Sequence, residues 1–180
     1  MKGIVFTSLG DMIIERYGLE TWDNLLSQVN LESGGSYAAG GTYPDTELVA
    51  LVTTIAKMKN IEVPALLEQF GEYMFPVLAK KYPIFIKKNM SLKDFLKSID
   101  DTIHVEVMKI NPDAELPSIK YEEMGPNQLT LLYRSRRKLC NLAIGLIQGA
   151  ATHFHTKVKI KQPLCMHHGS DHCRLEVTFE

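Results

Sequence analysis

Apolar and polar residues change their period part way along the chain. From the N-terminus to about residue 110 the repeat is helical: Ile4, Val5, Leu9, Met12 and Ile13 run up to Gly18, and Trp22, Leu25, Leu26 and Val29 continue it in a second, shorter segment. The stretch SGGSYAAGGTYP, residues 33–44, reads as a loop from its glycines and terminal proline. Asp45 or Thr46 suits the N-cap of a helix running to about Lys59, and Pro64 suits the first turn of another that passes Phe70 and Phe75.

The most strongly patterned segment is SLKDFLKSIDDTIHVEVMKINP. Ser91 and Asp94 make its start signal, Asn111 and Pro112 stop it, and Leu92, Phe95, Leu96, Ile99, Ile103 and Val107 form one stripe, so a continuous helix is expected. At about 100° per residue, His104 falls at the margin of that stripe. After Pro117 alternation takes over. Strands are expected over 118–124 and 128–133, around a Gly125-Pro126-Asn127 turn, then a helix from about Arg136 to Phe154, then strands over 156–162 and 174–179. The expected class is α+β, a helical N-terminal half packed on a C-terminal half with a roughly four-stranded antiparallel sheet.

At 180 residues the chain is expected to form one domain that buries about 70% of its unfolded surface. The first residues, MKGIVFTSLGDM, do not resemble a secretory signal, and no apolar run approaches the ~18 residues of a membrane span, so a cytoplasmic location is expected. Charge changes the picture at one point only. With 20 basic and 21 acidic residues the chain lacks the broad cationic footprint that nucleic acid requires. The run Arg134, Arg136, Arg137 and Lys138 is therefore a solvated basic turn or, through the guanidinium fork of Arg137, a site for a buried carboxylate.

That run lies in YRSRR, which sets Tyr133, Ser135 and Arg137 at every second position just after the apolar run 129–132. His104 is the one histidine before position 153, and on pattern alone it reads as a boundary histidine bonded to backbone or as a ligand. No nucleophile is positioned beside it, since Asp100 and Asp101 supply only acids. Cys140, Cys165 and Cys173, with CMHHGSDHC spanning the last two, form an odd set that argues against an extracellular disulfide framework. Metal binding, thiol redox chemistry and a reduced core all stay open.

Taken together, His104, Pro117 and Tyr133-x-Ser135-x-Arg137 resemble the haem nitric oxide and oxygen binding (H-NOX) family, which also supplies the sensor of soluble guanylate cyclase; the likeness runs from MKGIVF to the last strand. The resemblance implies a haem b held between the two halves, with residues about 1–62 as a helical subdomain and about 63–180 as the haem-ligating one. It makes His104 the iron ligand, gives the propionates to Tyr133, Ser135 and Arg137, and makes Pro117 the residue that presses on the macrocycle. Val5, Leu9, Met74, Leu142 and Leu146 are then the distal residues. Oxygen-binding relatives carry a tyrosine at the position of Leu142, so the resemblance implies a sensor of nitric oxide, and also of carbon monoxide, that excludes oxygen. It implies no reaction of its own. The signal would arise through cleavage of the iron–histidine bond and haem relaxation, and would pass in trans to a histidine kinase or a cyclic-di-GMP enzyme. Some bacterial relatives also carry zinc on three cysteines and a histidine; here Gln162 stands where that histidine is expected, leaving His167 or His172 as the fourth ligand to Cys140, Cys165 and Cys173. The alternative from a different class is a cysteine or zinc redox-sensing module acting on a signalling partner.

Overall fold

A computed structural model describes all 180 residues, Met1–Glu180. Helices α1 (Gly3–Tyr17), α2 (Leu19–Gln28), α3 (Asp45–Lys59) and α4 (Val63–Lys81) come first. Then follow α5 (Leu92–Ser98), α6 (Val105–Ile110), β1 (Ser118–Gly125), β2 (Gln128–Arg134), α7 (Cys140–His153), β3 (Val158–Leu164) and β4 (Cys173–Phe179). The sheet is antiparallel throughout in the order β1-β2-β4-β3. This is the α+β architecture expected from the change of period.

The inner face of the two central strands follows strict alternation. Leu129, Leu131 and Tyr133 on β2 stand opposite Val177, Leu175 and Cys173 on β4, and all six are buried. They join Phe75, Phe95 and Ile147 in one apolar core. A second core lies among the first four helices around Phe6, Leu9, Met12, Ile13, Leu51 and Phe70, each fully buried, each such side chain contributing about 1.5–3 kcal/mol. Helix α7 serves both. Leu142 belongs to the helical core, and Ile144 and Ile147 to the sheet core.

Small residues let α7 lie directly on α4. A Cβ on Gly145 would stand 2.0 Å from the Glu68 carbonyl oxygen, and one on Gly71 would stand 2.4 Å from that of Leu142. Pro76 inside α4 has no N–H to give to the Glu72 carbonyl, and Gly149 sits against that carbonyl, where a Cβ would be only 2.9 Å away.

Three expected boundaries are corrected. The segment from Ser91 is not one α-helix: Ser91 caps it as expected, its hydroxyl accepting from the Asp94 amide, but Ile99–His104 is a π-helical turn between α5 and α6. The 3.6-residue stripe cannot reveal this, because spacings of four suit both forms. Helix α7 begins at Cys140 rather than near Arg136. Residues 135–139 form a tight turn in which the Lys138 amide donates to the Ser135 carbonyl at 3.1 Å and Lys138 takes a φ of 52°. Asp45 does not cap α3; it is that helix's first residue, and its carboxylate reaches elsewhere.

Candidate cofactor-binding site

Between the two cores lies a cavity of about 470 Å³, within the range of roughly 300–1,000 Å³ usual for small-molecule and cofactor pockets. Of its 39 lining residues 28 are hydrophobic, so a large apolar ligand would be desolvated there. The cavity meets an open cleft of about 720 Å³ at a shared rim that includes His104, Glu115, Pro117, Ser135 and Arg137.

His104 reaches this rim from the end of the π-helical turn. Its Nδ1 faces Asp100 Oδ1 at 3.2 Å. The neighbouring Asp100 oxygen accepts from the Ser118 hydroxyl at 3.4 Å. Burial pushes the imidazole below its ordinary value and outweighs the opposing pull of Asp100, so the ring is neutral at neutral pH. A neutral ring with Nδ1 engaged leaves Nε2 as the nitrogen able to ligate a metal.

The turn after β2 sets the other polar groups. Tyr133 is 3% exposed, and burial pushes its phenol up to about 12, so it stays protonated. The Ser135 hydroxyl accepts from the Arg137 amide at 3.2 Å, which fixes the turn. Arg137 points its fork at carboxylates. Nε donates to Asp45 Oδ2 at 2.7 Å, Nη1 donates to the Glu115 backbone carbonyl, and Nη2 donates to Glu115 Oε2 at 3.1 Å. The N-terminal ammonium of Met1 lies 2.9 Å from the other Asp45 oxygen. Burial raises the Asp45 carboxyl, but the N-terminal ammonium and Arg137 outweigh it and hold the group below its ordinary range.

Asp45 and Glu115 are the site residues that the sequence did not reveal. Asp45 stands 92 positions from Arg137 and read as a cap; Glu115 lies in a segment without any motif.

The distal residues divide. Val5, Met74, Leu142 and Leu146 line the cavity, brought there by α1, α4 and α7. Leu9 does not: it is fully buried in the helical core.

The donor set fits a haem. One half-buried imidazole could supply a metal ligand beside an apolar chamber. At its rim a guanidinium already holds carboxylate oxygens, and the Glu115 side chain, 54% exposed, is free to exchange with an incoming propionate.

A second cluster lies on the inner face of the sheet, at the start of α7. Cys140, Cys165 and Cys173 are buried, with Sγ–Sγ distances of 3.8 Å for Cys140 and Cys165 and 3.9 Å for Cys165 and Cys173. A tetrahedral zinc with bonds of about 2.3 Å to sulfur requires edges of about 3.8 Å. Burial pushes the Cys140 thiol up to about 12, so a bound cation would displace protons.

No histidine completes the set. His167 donates Nε2–H to the Lys138 carbonyl at 2.7 Å and His172 pairs with Asp171 at 2.6 Å, so neither expected fourth ligand stands with the three sulfurs in this structure. Gln162 lies beside Cys140, and its Nε2 is buried without a hydrogen-bond partner.

The haem-NO-binding family model matches residues 2–162. Soluble guanylate cyclase gcy-32 of Caenorhabditis elegans is 26% identical over 156 residues, 84% of this chain, and soluble guanylate cyclase 89Db of Drosophila melanogaster is 25% identical over 158. The matched region is 23% of the length of each of these relatives. Among solved structures, an H-NOX protein of S. oneidensis in the Fe(II)NO state is 34% identical with a TM-score of 0.93, covering 100% of this chain and 99% of that one. An Fe(II) unliganded H-NOX protein of K. algicida is 33% identical at the same TM-score, covering 100% and 97%. By the family model and by these whole-chain likenesses, the chain belongs to the haem-NO-binding, or H-NOX, family.

Proposed function

We propose that this protein is a cytoplasmic haem-based sensor that binds nitric oxide, and carbon monoxide, while excluding oxygen, and that it signals in trans without catalysing a reaction. The observation that carries this reading is convergence: His104, Tyr133, Ser135 and Arg137, from separate elements, all line one apolar cavity. His104 Nε2 would ligate the iron, and Tyr133, Ser135 and Arg137 would hold the propionates. When bound, ferrous haem would supply the metal to which the gas ligates, and His104 would be the protein ligand whose release carries the signal.

The chain's own residues support the selectivity. Bound dioxygen carries partial negative charge and depends on a hydrogen-bond donor far more than nitric oxide or carbon monoxide does. Leu142, Leu146, Met74 and Val5 offer none. The rim also supports a switch. The ring of Pro117 shares it with His104, and Arg137 is tied through Asp45 to the first turn of α3 and to the N-terminus before α1. A change in the position of His104 or Arg137 would therefore be felt by the helical half, residues about 1–62, as a two-state element requires. A histidine kinase or a cyclic-di-GMP enzyme is the proposed recipient of that signal.

The test is the visible absorption spectrum of the reduced, haem-loaded protein under argon, in air and with nitric oxide. A five-coordinate ferrous spectrum that air leaves unchanged, and that nitric oxide converts to a five-coordinate nitrosyl, is expected. A stable oxy spectrum overturns the selectivity.

The cysteine cluster supports a second assignment that does not compete with the first. We propose that Cys140, Cys165 and Cys173 hold a structural zinc, on the strength of sulfur separations that match a tetrahedral edge. Metal analysis after denaturation, expected at one zinc per chain, checks it. Absence of zinc, with loss of signalling on thiol oxidation, favours the redox-module reading instead.

A further inference from the structure

The π-helical turn that carries His104 also carries the carboxylate that faces it. Asp100 Oδ1 lies 3.2 Å from His104 Nδ1, and Ser118, at the start of β1, donates to Asp100 Oδ2 at 3.4 Å. The carboxylate is thus held between a helical turn and a strand, with both oxygens engaged and its side chain 21% exposed. Asp101, one residue on, is exposed and makes no such bond. A carboxylate can only accept here, so Nδ1 carries the proton and Nε2 presents its lone pair. This is the arrangement in which a carboxylate behind a ligating histidine fixes its tautomer and orientation and raises its basicity.

We propose that Asp100 is a positioning residue that sets the strength of the iron–His104 bond, and thereby how readily nitric oxide breaks it. The proposal rests on the haem-sensor reading above. On that reading the bond to His104 is the element that must yield. An anionic acceptor on Nδ1 gives the ring imidazolate character and strengthens the bond that the gas has to break. Ser118 acts one step further back by aiming the carboxylate. Because Ser118 begins the strand that follows Pro117, the aim of Asp100 also depends on the segment at the haem face.

The test is resonance Raman spectroscopy of the ferrous, haem-loaded protein, which reads the iron–histidine stretch directly, together with the rate of haem transfer to an apo-globin acceptor. Asp100→Ala is expected to lower the stretching frequency and to speed haem loss by about 10-fold or more. Asp100→Asn keeps the shape and a neutral acceptor, so it gives a smaller fall and keeps the measurement available should the alanine variant fold poorly. Asp101→Asn is expected to change neither. With nitric oxide, Asp100→Ala should reach the five-coordinate nitrosyl faster than the parent protein. A wild-type stretching frequency in both Asp100 variants overturns the role of Asp100 while leaving haem sensing intact. A parent protein that shows no iron–histidine band overturns the ligation by His104 and this proposal together.

Discussion

The two sides of the cavity are built on opposite plans. The rim with His104, Pro117, Ser135 and Arg137 is polar and uses irregular backbone, a π-helical turn and a tight turn with a left-handed residue. The wall from α1, α4 and α7 is apolar and uses regular helices in direct backbone contact. The difference separates two tasks. Groups that must bond in one orientation sit where the backbone departs from a simple repeat. Groups that only need to withhold a hydrogen bond sit on the stiffest elements available. On the proposed reading, affinity belongs to one side and selectivity to the other.

The largest effect that would break this division comes from the rim. His104→Gly should abolish histidine-ligated haem while leaving the far-ultraviolet circular dichroism unchanged, and added imidazole should restore a five-coordinate ferrous spectrum. A variant that still shows an iron–histidine band would place the ligand elsewhere. On the other wall, Leu142→Tyr supplies the missing donor and should convert air-insensitive protein to one with a stable oxy spectrum. It should also cost about 1–3 kcal/mol of stability by overpacking a buried position.

Arg137→Gln comes next. It removes the charged partner of Asp45 and Glu115 and should destabilise the protein by about 1.5–3 kcal/mol in urea titration, with faster haem release as a second readout. The smallest effect concerns pH. Asp45 and Glu47 are both held below their ordinary values of 3.8 and 4.5; for Glu47, burial raises the group but hydrogen bonds from Ser33 and Tyr37 outweigh it. A depressed carboxyl stabilises the fold above its unfolded value and loses that contribution as pH falls through its folded value. Thermal stability should therefore fall on acidification below about pH 4, and Glu47→Gln should flatten that dependence.

What could be read from the chain follows the range of the interaction. Local repeats announced the helices, and the switch to alternation at Pro117 announced the sheet. His104 and the Tyr133, Ser135 and Arg137 triplet were legible because their residue types and spacing are unusual together. The π-helical turn was not, because Ile99 and Ile103 keep an acceptable helical spacing through it. Asp100 read only as an acid near His104, and its partner Ser118 lies in another element. Asp45 and Glu115 meet Arg137 only in the folded chain. The cysteines were legible as a set, whereas His167, which looked like their companion, is drawn away by the Lys138 carbonyl.

The glycines between α4 and α7 leave no cushion of side chains where Gly71 and Gly145 meet the opposing backbone. Side chains absorb small displacements by changing rotamer; two backbones in contact cannot. The pair therefore behaves as a stiff joint, so a shift of α4 is shared by α7. A displacement of a fraction of an ångström in one of these helices would be felt by the other at this joint, which ties the motion of the cavity wall from α4 to that from α7.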